Sequence, residues 1–217
     1  MPNRDYHNQR QNYELGVLSD DFLDANPLEL FQQWMDDAFE KKVIEPTAMT
    51  LATVDATQQP HARIVLLKAF DKEGFVFYTH YESAKGRELI TSKRAALSFF
   101  WPELERQVRI EGLVEKISPE ASDRYFQSRP VDSQISAYIS KQSQTVPNRE
   151  TLEQRMAQAK KEFAGKPIPR PATWGGYRLI PKRFEFWQGR PNRLHDRIQF
   201  SIHPTDPQAW SSTRLSP

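Results

Sequence analysis

Three side chains that can carry positive charge alternate near the end of the sequence: Arg193, His195 and Arg197. In a β-strand, alternate side chains point to the same face, so a strand here predicts all three on one face. Such groups repel one another unless an anion or an electron-rich ligand lies against them. A lone histidine in a strand is usually structural, but this row favours a functional site.

A second group has the residue types that bind a phosphate monoester. Tyr125 and Arg129 are four residues apart, so a helix places both on the same face. Pro130 breaks that helix, and Ser133 falls in the first turn of the next helix, where backbone N–H groups can bind an anion. The same spacing fits a helix–turn–helix corner with an exposed arginine, and the residues alone do not decide between the two.

Residues 63–68, Arg-Ile-Val-Leu-Leu-Lys, form a predicted strand with a cation at each end. Arg63 and Lys68 then point to opposite faces, where they could contact two different anions. Taken by itself, the strand favours two solvent-facing ends.

Two further polar groups are weaker signals. Tyr78 and Thr79 end a predicted strand shortly before Lys85, which lies near a helix start and could contact a phosphate. Gln142 and Ser143 could bind a phosphate or the edge of a flavin. For the first group an ordinary polar loop is the favoured explanation, and the dipeptide Gln142-Ser143 is by itself a weak signal.

Composition excludes several kinds of chemistry. The chain has no cysteine, so thiolate catalysis and disulfides are excluded, and its five histidines show no His-x-x-x-His metal spacing. No Gly-x-Ser-x-Gly, Gly-x-Gly-x-x-Gly or Walker motif occurs. A net charge of +2 argues against nucleic-acid binding. No apolar run suggests a membrane span or a secretory signal, so we expect a cytoplasmic protein.

The elements that must hold these residues are predicted from periodicity. Residues 1–25 are polar and irregular and form an N-terminal arm, whereas residues 26–217 form a single domain. Asn26 caps the first helix, and Asp132 caps a later one. The first helix buries one stripe, made of Leu30, Phe31, Trp34, Ala38 and Phe39.

Strands and helices alternate in groups along the rest of the chain. Short connections between strands favour antiparallel pairing. We therefore expect an α+β protein built on an antiparallel barrel with helices outside it. The predicted strands are 48–54, 63–68, 75–79, 95–101, 106–117, 174–180, 183–188 and 196–202. The predicted helices after the first are 83–92, 118–130, 132–139 and 149–163, the last burying Leu152, Met156, Ala159 and Phe163.

The motifs together resemble one family over nearly the whole chain, the pyridoxamine/pyridoxine 5'-phosphate oxidases. The most specific motif spans residues 184–197, Phe-Glu-Phe-Trp-Gln followed by Arg-Leu-His-Asp-Arg. Other shared segments occur in the same order. They are residues 26–28, 46–49, 63–68, 77–79, 104–108, 125–130, 132–135, 140–143 and 174–176.

The resemblance implies a Greek-key split β-barrel that binds FMN, with peripheral helices, and a homodimer with FMN in clefts between subunits. It implies oxidation of pyridoxamine or pyridoxine 5'-phosphate to pyridoxal 5'-phosphate. Hydride passes from the 4' carbon to flavin N5, and O2 is then reduced to H2O2. Since the flavin carries the redox chemistry, no metal is required.

The resemblance also assigns roles by position. The expected FMN contacts are Arg63, Ile64, Val65, Leu66, Leu67, Lys68, Tyr78, Thr79, Lys85, Gln107, Gln142, Ser143, Trp187 and Arg197. The expected substrate contacts are Arg10, Tyr13, Lys68, Tyr125, Arg129, Ser133, Arg193 and His195, of which Arg193 and His195 flank the pyridine ring as catalytic residues. Arg10 and Tyr13 belong to an N-terminal lid.

The sequence departs from the family at two places. Ala84 precedes Lys85 where an arginine is usual, so one cation for the FMN phosphate is missing unless Arg87 replaces it. Gln11 and Asn12 replace an arginine and an acidic residue in the lid. Two rival functions remain, a non-catalytic flavin or pyridoxal-phosphate binding protein and a split-barrel flavin reductase.

Overall fold

The computed structural model describes residue 7, residues 11–203 and residues 205–217, with only the backbone described at 207 and 208. Within these ranges it has α-helices, β-strands and short 3-10 turns. The helices are α1 (Pro27–Glu40), α2 (Ala84–Ser92), α3 (Pro119–Ser128), α4 (Val131–Ile139) and α5 (Arg149–Glu162). The strands are β1 (Ala48–Val54), β2 (Pro60–Leu66), β3 (Ala69–Asp71), β4 (Gly74–His80), β5 (Arg94–Trp101), β6 (Arg106–Lys116), β7 (Trp174–Gln188), β8 (Asp196–His203) and β9 (Asp206–Arg214).

The strands form one sheet in the order β2-β1-β5-β6-β7-β4-β3, and β8 pairs with both β7 and β9. The pairings of β1 with β2, β3 with β4, β4 with β7, β7 with β8 and β8 with β9 are all antiparallel. This sheet and its helices confirm the predicted α+β class.

The chain divides into two compact units. The cavity unit comprises Thr47–Leu97 and Glu111–Pro181, and the terminal unit comprises Met1–Pro46, Ser98–Ile110 and Lys182–Pro217. Strand β7 therefore contributes its first half to the cavity unit and its second half to the terminal unit.

Turns in the cavity unit are set by short polar side chains. The Asp55 carboxylate accepts the backbone N–H groups of Thr57 (2.8 Å) and Gln59 (3.0 Å), which closes the turn between β1 and β2. Gly74 begins β4 with φ +139°, and a Cβ there would collide with the Leu179 carbonyl oxygen. Only glycine accepts both constraints, so this turn fixes where β4 starts.

Helices of the cavity unit pack on their own apolar cluster. Phe126 of α3 and Ile135 of α4 are fully buried there against Trp174 at the start of β7. Ala159 is the buried residue of α5, whereas Leu152 is 40% exposed. The predicted stripe of α5 is therefore wrong at Leu152, because the helix contacts its neighbours mainly through its second half.

The terminal unit is built around α1 and the aromatic residues of β5, β7 and β8. The Asn26 side chain accepts the Leu28 N–H at 2.9 Å, which confirms the predicted cap. Phe31 packs edge-on against Phe99, and Trp34 packs edge-on against Phe186. Phe39, expected in this buried stripe, is 56% exposed, so that expectation is wrong.

Other differences from the predicted elements have local causes. Asp132 lies inside α4, and Pro130 occupies its N-cap without a side-chain bond. The two predicted strands around residue 181 are one strand of 15 residues, β7. Strand β9 was not predicted, because its polar, proline-containing sequence lacks the usual alternation.

The residues between 11 and 19 have no helix or strand, as predicted, but they are anchored. The Leu15 N–H donates to Glu105 at 2.9 Å, and the Leu18 N–H donates to Asp196 at 3.1 Å. Leu18 is 1% exposed. Among the described helices, none is long and apolar enough to cross a membrane.

Candidate functional site

A polar cavity of about 310 Å³ opens in the cavity unit. Ten of its twelve lining residues were predicted site residues, and His80 and Trp174 are the additional two. The lining residues are Ile64, Val65, Leu66, Lys68, Tyr78, Thr79, His80, Lys85, Tyr125, Arg129, Gln142 and Trp174.

The cavity lies where several elements end. Strand β2 ends at Leu66, so the prediction that residues 63–68 form one regular strand is wrong at its last two positions. Lys68 instead follows the strand, and its N–H donates to the Val76 carbonyl of β4 at 2.9 Å. Lys68 therefore reaches the cavity because the chain turns onto β4, not because of strand alternation.

Three aromatic rings stack in one wall of the cavity. The rings of Tyr78 and Tyr125 are 3.8 Å apart and nearly parallel, and Trp174 continues the stack 5.4 Å from Tyr78. The Arg129 guanidinium lies 4.7 Å from the centre of the Trp174 ring. This stack holds the guanidinium in place by a cation–π contact.

Arg129 has an unsatisfied donor. Its Nη1 atom is buried and has no hydrogen-bond partner among the described residues. Burial lowers the pKa of Arg129, although a guanidinium stays charged at neutral pH. A buried donor without an acceptor is costly, so the cavity favours a ligand that supplies an acceptor there.

Two other cations share the cavity without acidic partners. In the described part of the chain, no carboxylate pairs with Lys68, Lys85 or Arg129. Burial is the largest cause that lowers the pKa of Lys85, and Arg63 lowers it further whereas Glu88 raises it. Three cations line one cavity and none of them is ion-paired with a described carboxylate, which favours an anionic ligand.

The neighbouring side chains are neutral donors. Burial raises the pKa of Tyr78 and of Tyr125, so both phenols keep their protons at neutral pH. Burial, then Lys85 and Arg129, lowers the pKa of His80, and Glu82 opposes them. These effects favour the neutral form of His80.

The α2 end of the cavity links the predicted polar pairs. Lys85 Nζ donates to Gln142 Oε1 at 3.1 Å, and Thr79 Oγ1 donates to the same oxygen at 3.0 Å. The Ala84 N–H donates to Ser143 Oγ at 3.2 Å. Residues 142–143 are thus drawn to the start of α2, as their proposed shared role requires.

Arg63 is close to this group but does not line the cavity. Its Nη2 atom donates to Glu88 Oε2 at 3.1 Å, and its Nη1 atom donates to Thr53, which in turn donates to Glu88. Glu88 is 8% exposed. Arg87, the suggested replacement for the missing cation at Ala84, donates to the Glu82 carbonyl oxygen.

The terminal unit has a second group of predicted residues, which we call the ring cluster: Tyr13, Trp187 and His195. The His195 ring lies 4.7 Å from Trp187 and 5.7 Å from Tyr13. His195 Nδ1 accepts the Arg190 N–H at 3.1 Å, so the neutral ring carries its proton on Nε2. Burial and Arg193 lower the pKa of His195, which favours this neutral form.

The predicted row of three cations on one strand face is wrong. Strand β8 begins only at Asp196, and Arg193 ends a 3-10 turn with φ 62°. Arg193 is exposed, a lowered pKa favours the neutral form of His195, and Arg197 is ion-paired. The alternation argument failed because proline and the left-handed residues Asn192 and Arg193 break the extended backbone.

Two arginines near the ring cluster have acidic partners. Arg197 bonds through Nε (3.0 Å) and Nη2 (2.9 Å) to Glu185, which also accepts from Arg109 at 3.2 Å. Arg190 lies 3.4 Å from the Asp196 carboxylate. These arginines are therefore already neutralised in part by the protein itself.

The remaining predicted residues do not join either group. Ser133 is the third residue of α4 and its N–H donates to the Pro130 carbonyl, and Leu67 is buried. Gln107 lies in β6 within the terminal unit. Arg10 lies outside the described residues.

Three residues to which the sequence analysis gave no role lie at the cavity or contact a predicted site residue. His80 and Trp174 line the polar cavity, and Glu185 holds Arg197. Glu185 and Trp174 stood inside quoted motifs, so their position in those motifs was an available signal. Nothing in the sequence around His80 indicated that it would be buried.

Together, the fold and the polar cavity define an α+β protein with a preformed site for a small anionic ligand. Comparison with known proteins gives the family. Residues 35–162 match the family described as "Pyridoxamine 5'-phosphate oxidase", and residues 174–217 match "Pyridoxine 5'-phosphate oxidase C-terminal dimerisation region". The chain belongs to the pyridoxamine 5'-phosphate oxidase family, which is a family of oxidoreductases.

Curated relatives agree over the whole length. A pyridoxine/pyridoxamine 5'-phosphate oxidase of Bordetella avium is 56% identical over 208 residues, covering 96% of this chain and 97% of the relative. Pyridoxine/pyridoxamine 5'-phosphate oxidase 1 of Hydrogenovibrio crunogenus is 50% identical over 217 residues, covering 100% of each.

Solved structures confirm the fold. PhzG from Burkholderia lata, in complex with tetrahydrophenazine-1-carboxylic acid, has a TM-score of 0.87 at 31% identity and covers 94% of this chain and 99% of that chain. A pyridoxamine 5'-phosphate oxidase-related, FMN-binding protein from Nostoc punctiforme has a TM-score of 0.70 at 18% identity, covering 86% and 97%. The predicted antiparallel split β-barrel with peripheral helices is thus confirmed.

Proposed function

We propose that this protein oxidises pyridoxamine 5'-phosphate or pyridoxine 5'-phosphate to pyridoxal 5'-phosphate, with FMN as cofactor and with O2 reduced to H2O2. The observation that carries the proposal is the buried Nη1 of Arg129, which lacks a partner among the described residues and lies in a cavity with Lys68 and Lys85. A phosphate monoester supplies an acceptor for the Arg129 nitrogen and negative charge beside Lys68 and Lys85.

The residues of the cavity unit fit a flavin phosphate as well as a substrate phosphate. Lys85 at the start of α2, close to Arg63, has the charge for one anion, and Arg129 beside Tyr125 has the charge for another. We propose that Arg63, Thr79, Lys85, Gln142 and Ser143 hold FMN. The proposed FMN contacts are completed by Ile64, Val65, Leu66, Leu67, Lys68, Tyr78, Gln107, Trp187 and Arg197.

Tyr125, Arg129, Lys68 and Ser133 bind the substrate phosphate in this proposal. Bound FMN supplies the two-electron acceptor. Because the phenol of Tyr125 stays protonated, it donates a hydrogen bond without adding repulsive charge. The stacked rings of the cavity wall also exclude water from the phosphate, which strengthens each charged contact.

The ring cluster orients the substrate ring. We propose that His195 donates from Nε2 while Nδ1 is fixed by the Arg190 N–H, so the imidazole has one defined orientation. Arg193 is exposed and reaches the substrate from the 3-10 turn before β8. Tyr13, packed against His195, belongs to the lid in this proposal, together with Arg10.

We further propose that the protein is a homodimer with FMN in clefts between the subunits. The match of residues 174–217 to the dimerisation region of the family supports the dimer. Mass measurement in solution tests this assembly, and a monomer that binds FMN and turns over would contradict it.

The decisive experiment is a peroxide assay with both phosphorylated substrates, with and without added FMN. We expect a yellow protein that produces H2O2 and pyridoxal 5'-phosphate. A colourless protein that takes up no FMN would contradict the proposal, and a yellow protein without turnover would favour the rival carrier function.

Similarity to PhzG suggests a further substrate to include in this assay. That protein was solved with a carboxylate ligand, tetrahydrophenazine-1-carboxylic acid. The three cations of the polar cavity favour a phosphate over such a ligand. Turnover of the phenazine compound in preference to both phosphorylated substrates would overturn the proposed substrate class.

A further inference from the structure

Glu185 is a buried acid in the middle of the most specific motif of the sequence, yet the proposed function gives it no role. It lies in β7 and is 6% exposed. Its two carboxylate oxygens bond two different arginines, Arg197 and Arg109. A buried carboxylate with two such partners is built into the structure and is not a chance surface contact.

Sheet geometry puts Glu185 beside residues assigned to the flavin. Trp187 is directly opposite Arg197 in the antiparallel pairing of β7 with β8. Glu185 precedes Trp187 by two residues, so the three side chains share one face of the sheet. The face that carries Trp187 and Arg197 therefore also carries the acid.

Arg197 is fixed on every side by the terminal unit. Its Nε and Nη2 atoms bond the same Glu185 oxygen at 3.0 and 2.9 Å. Its Nη1 atom donates to the Ser216 carbonyl oxygen at 2.7 Å. All three nitrogens thus have partners, and one of those partners bears a compensating charge.

We propose that Glu185 is a positioning residue that fixes the orientation of Arg197 and limits the positive charge that Arg197 presents to the flavin. This inference rests on the proposed function, in which Arg197 contacts FMN. Glu185 places one negative charge against the guanidiniums of Arg197 and Arg109. Removal of that charge makes the net charge beside the flavin more positive by one.

The charge difference predicts a redox effect with a definite sign. Reduced FMN carries more negative charge than oxidised FMN, so extra positive charge nearby favours the reduced form. Glu185→Gln should therefore raise the preference for reduced FMN over oxidised FMN about tenfold, which for a two-electron couple is ~30 mV. A residue that only supports the fold would weaken both forms alike.

The experiment measures the affinities for oxidised and reduced FMN, or the midpoint potential of the bound flavin, in purified protein. Arg109→Gln removes a positive charge from the same group and should shift the ratio in the opposite direction. Glu185→Asp keeps the charge and should restore the wild-type value. Glu105→Gln is the matched control, because Glu105 is equally buried in the terminal unit and accepts from the Leu15 N–H instead of an arginine.

Opposite shifts in Glu185→Gln and Arg109→Gln, with none in Glu105→Gln, support the inference. An unchanged ratio in Glu185→Gln, or shifts of the same sign in both variants, overturns it. If Glu185→Gln does not fold, the sign of the Arg109→Gln shift decides. Failure of the wild-type protein to bind FMN would instead contradict the proposed function, so the two failures are distinguishable.

Discussion

The polar cavity and the group around Arg197 treat their cations in opposite ways. In the polar cavity, Lys68, Lys85 and Arg129 face one space with no carboxylate partner in the described chain, and one nitrogen of Arg129 has no acceptor there. In the terminal unit, Arg197 and Arg190 are both paired with acids. Unpaired cations mark a site that an anionic ligand completes, whereas paired cations act through their fixed orientation.

This contrast also changes what each cation does for stability. The buried Arg129 nitrogen without a partner costs free energy until a ligand supplies an acceptor, so the cavity gives up some stability in exchange for affinity. A paired arginine stabilises the ligand-free fold and contributes less net charge to binding. Substitutions in each unit can test the two halves of this contrast separately.

The largest effect is expected for Arg129→Ala. A charged hydrogen bond to phosphate is typically worth ~1.5–3 kcal/mol, so the Michaelis constant for pyridoxamine 5'-phosphate should rise roughly 10- to 150-fold. Because the lost contact binds ground state and transition state alike, kcat should change little. Steady-state kinetics measures both.

Arg124→Ala is the matched control, since Arg124 is an exposed arginine of the same helix that does not line the cavity. Its Michaelis constant should stay within about twofold of wild type. A large fall in kcat with an unchanged Michaelis constant in Arg129→Ala would show that Arg129 is not a phosphate contact.

Unfolding of the ligand-free protein compares the two kinds of arginine directly. Arg197→Ala should lower the free energy of unfolding by about 1–3 kcal/mol, because buried Glu185 loses one partner. Arg129→Ala should cost no more than about 1 kcal/mol, since its main contact is the Trp174 ring. Urea titration measures both, and the reverse order would refute the distinction between the units.

His195→Ala should act on turnover and not on FMN binding. Removal of a positioned donor should lower kcat about tenfold while bound FMN per subunit stays at the wild-type value. Flavin absorbance and peroxide production measure the two quantities. His203→Ala serves as control, because His203 is an exposed histidine at the end of β8. Loss of FMN without a kinetic defect would contradict the assigned role.

Much of the fold followed from local signals. Strand β1 and the Asn26 cap were predicted at the observed residues, because alternating β-branched residues and a capping side chain act within a few positions. Ten cavity residues were likewise anticipated. That these ten residues belong to one site was predicted from the family resemblance. Spacing along the chain could not show it, because residues between 64 and 142 come together only through the packing of distant strands and helices.

The failures around Arg197 have two physical causes. Residues 193–197 were treated as a strand, but the backbone conformations of Asn192 and Arg193 break it, and the turn residues Pro191 and Asn192 that precede the row were not weighed against its alternation. The pairing of Arg197 with Glu185 depends on the register of β7 against β8, which spacing along the chain does not show. Charge compensation between strands is therefore the part that sequence reasoning missed.

Ala84→Arg tests whether the cavity unit can use another cation. The start of α2 has Lys85 but lacks the arginine usual in the family, and α2 also presents backbone N–H groups there. Adding a guanidinium should tighten FMN binding about tenfold. Fluorescence titration of the apoprotein measures this affinity. Arg87→Ala is the companion variant. If it weakens FMN binding by about tenfold or more, Arg87 already replaces the missing cation.

The smallest effect concerns His80 and pH. Its folded pKa lies below the unfolded value, about 6.5, because of burial and of nearby Lys85 and Arg129, which outweigh Glu82. Between the folded and the unfolded pKa, the unfolded chain binds more protons than the folded protein. The stability that neutral His80 confers is therefore lost as pH falls from about 6.5 toward the lower, folded pKa. His80→Gln removes this titration and should flatten the corresponding part of the stability profile, which urea titration at a series of pH values measures.

Phosphate connects this titration to the contrast between the units. An anion in the polar cavity offsets the charges of Lys85 and Arg129, and this raises the pKa of His80 toward its ordinary value. Saturating inorganic phosphate should therefore reduce the pH dependence of wild-type stability between about pH 5 and 7 by more than it changes that of His80→Gln, in which only the ionisation of phosphate itself remains. The pKa of His195 is also lowered, but by burial and by Arg193 and not by the cations of the cavity. Phosphate in the cavity should therefore leave the titration of His195 unchanged, which makes His195 an internal comparison for His80. If phosphate flattened the profile equally in both proteins, His80 would not be reporting on the cations of the cavity, and the unpaired state of those cations would need another explanation.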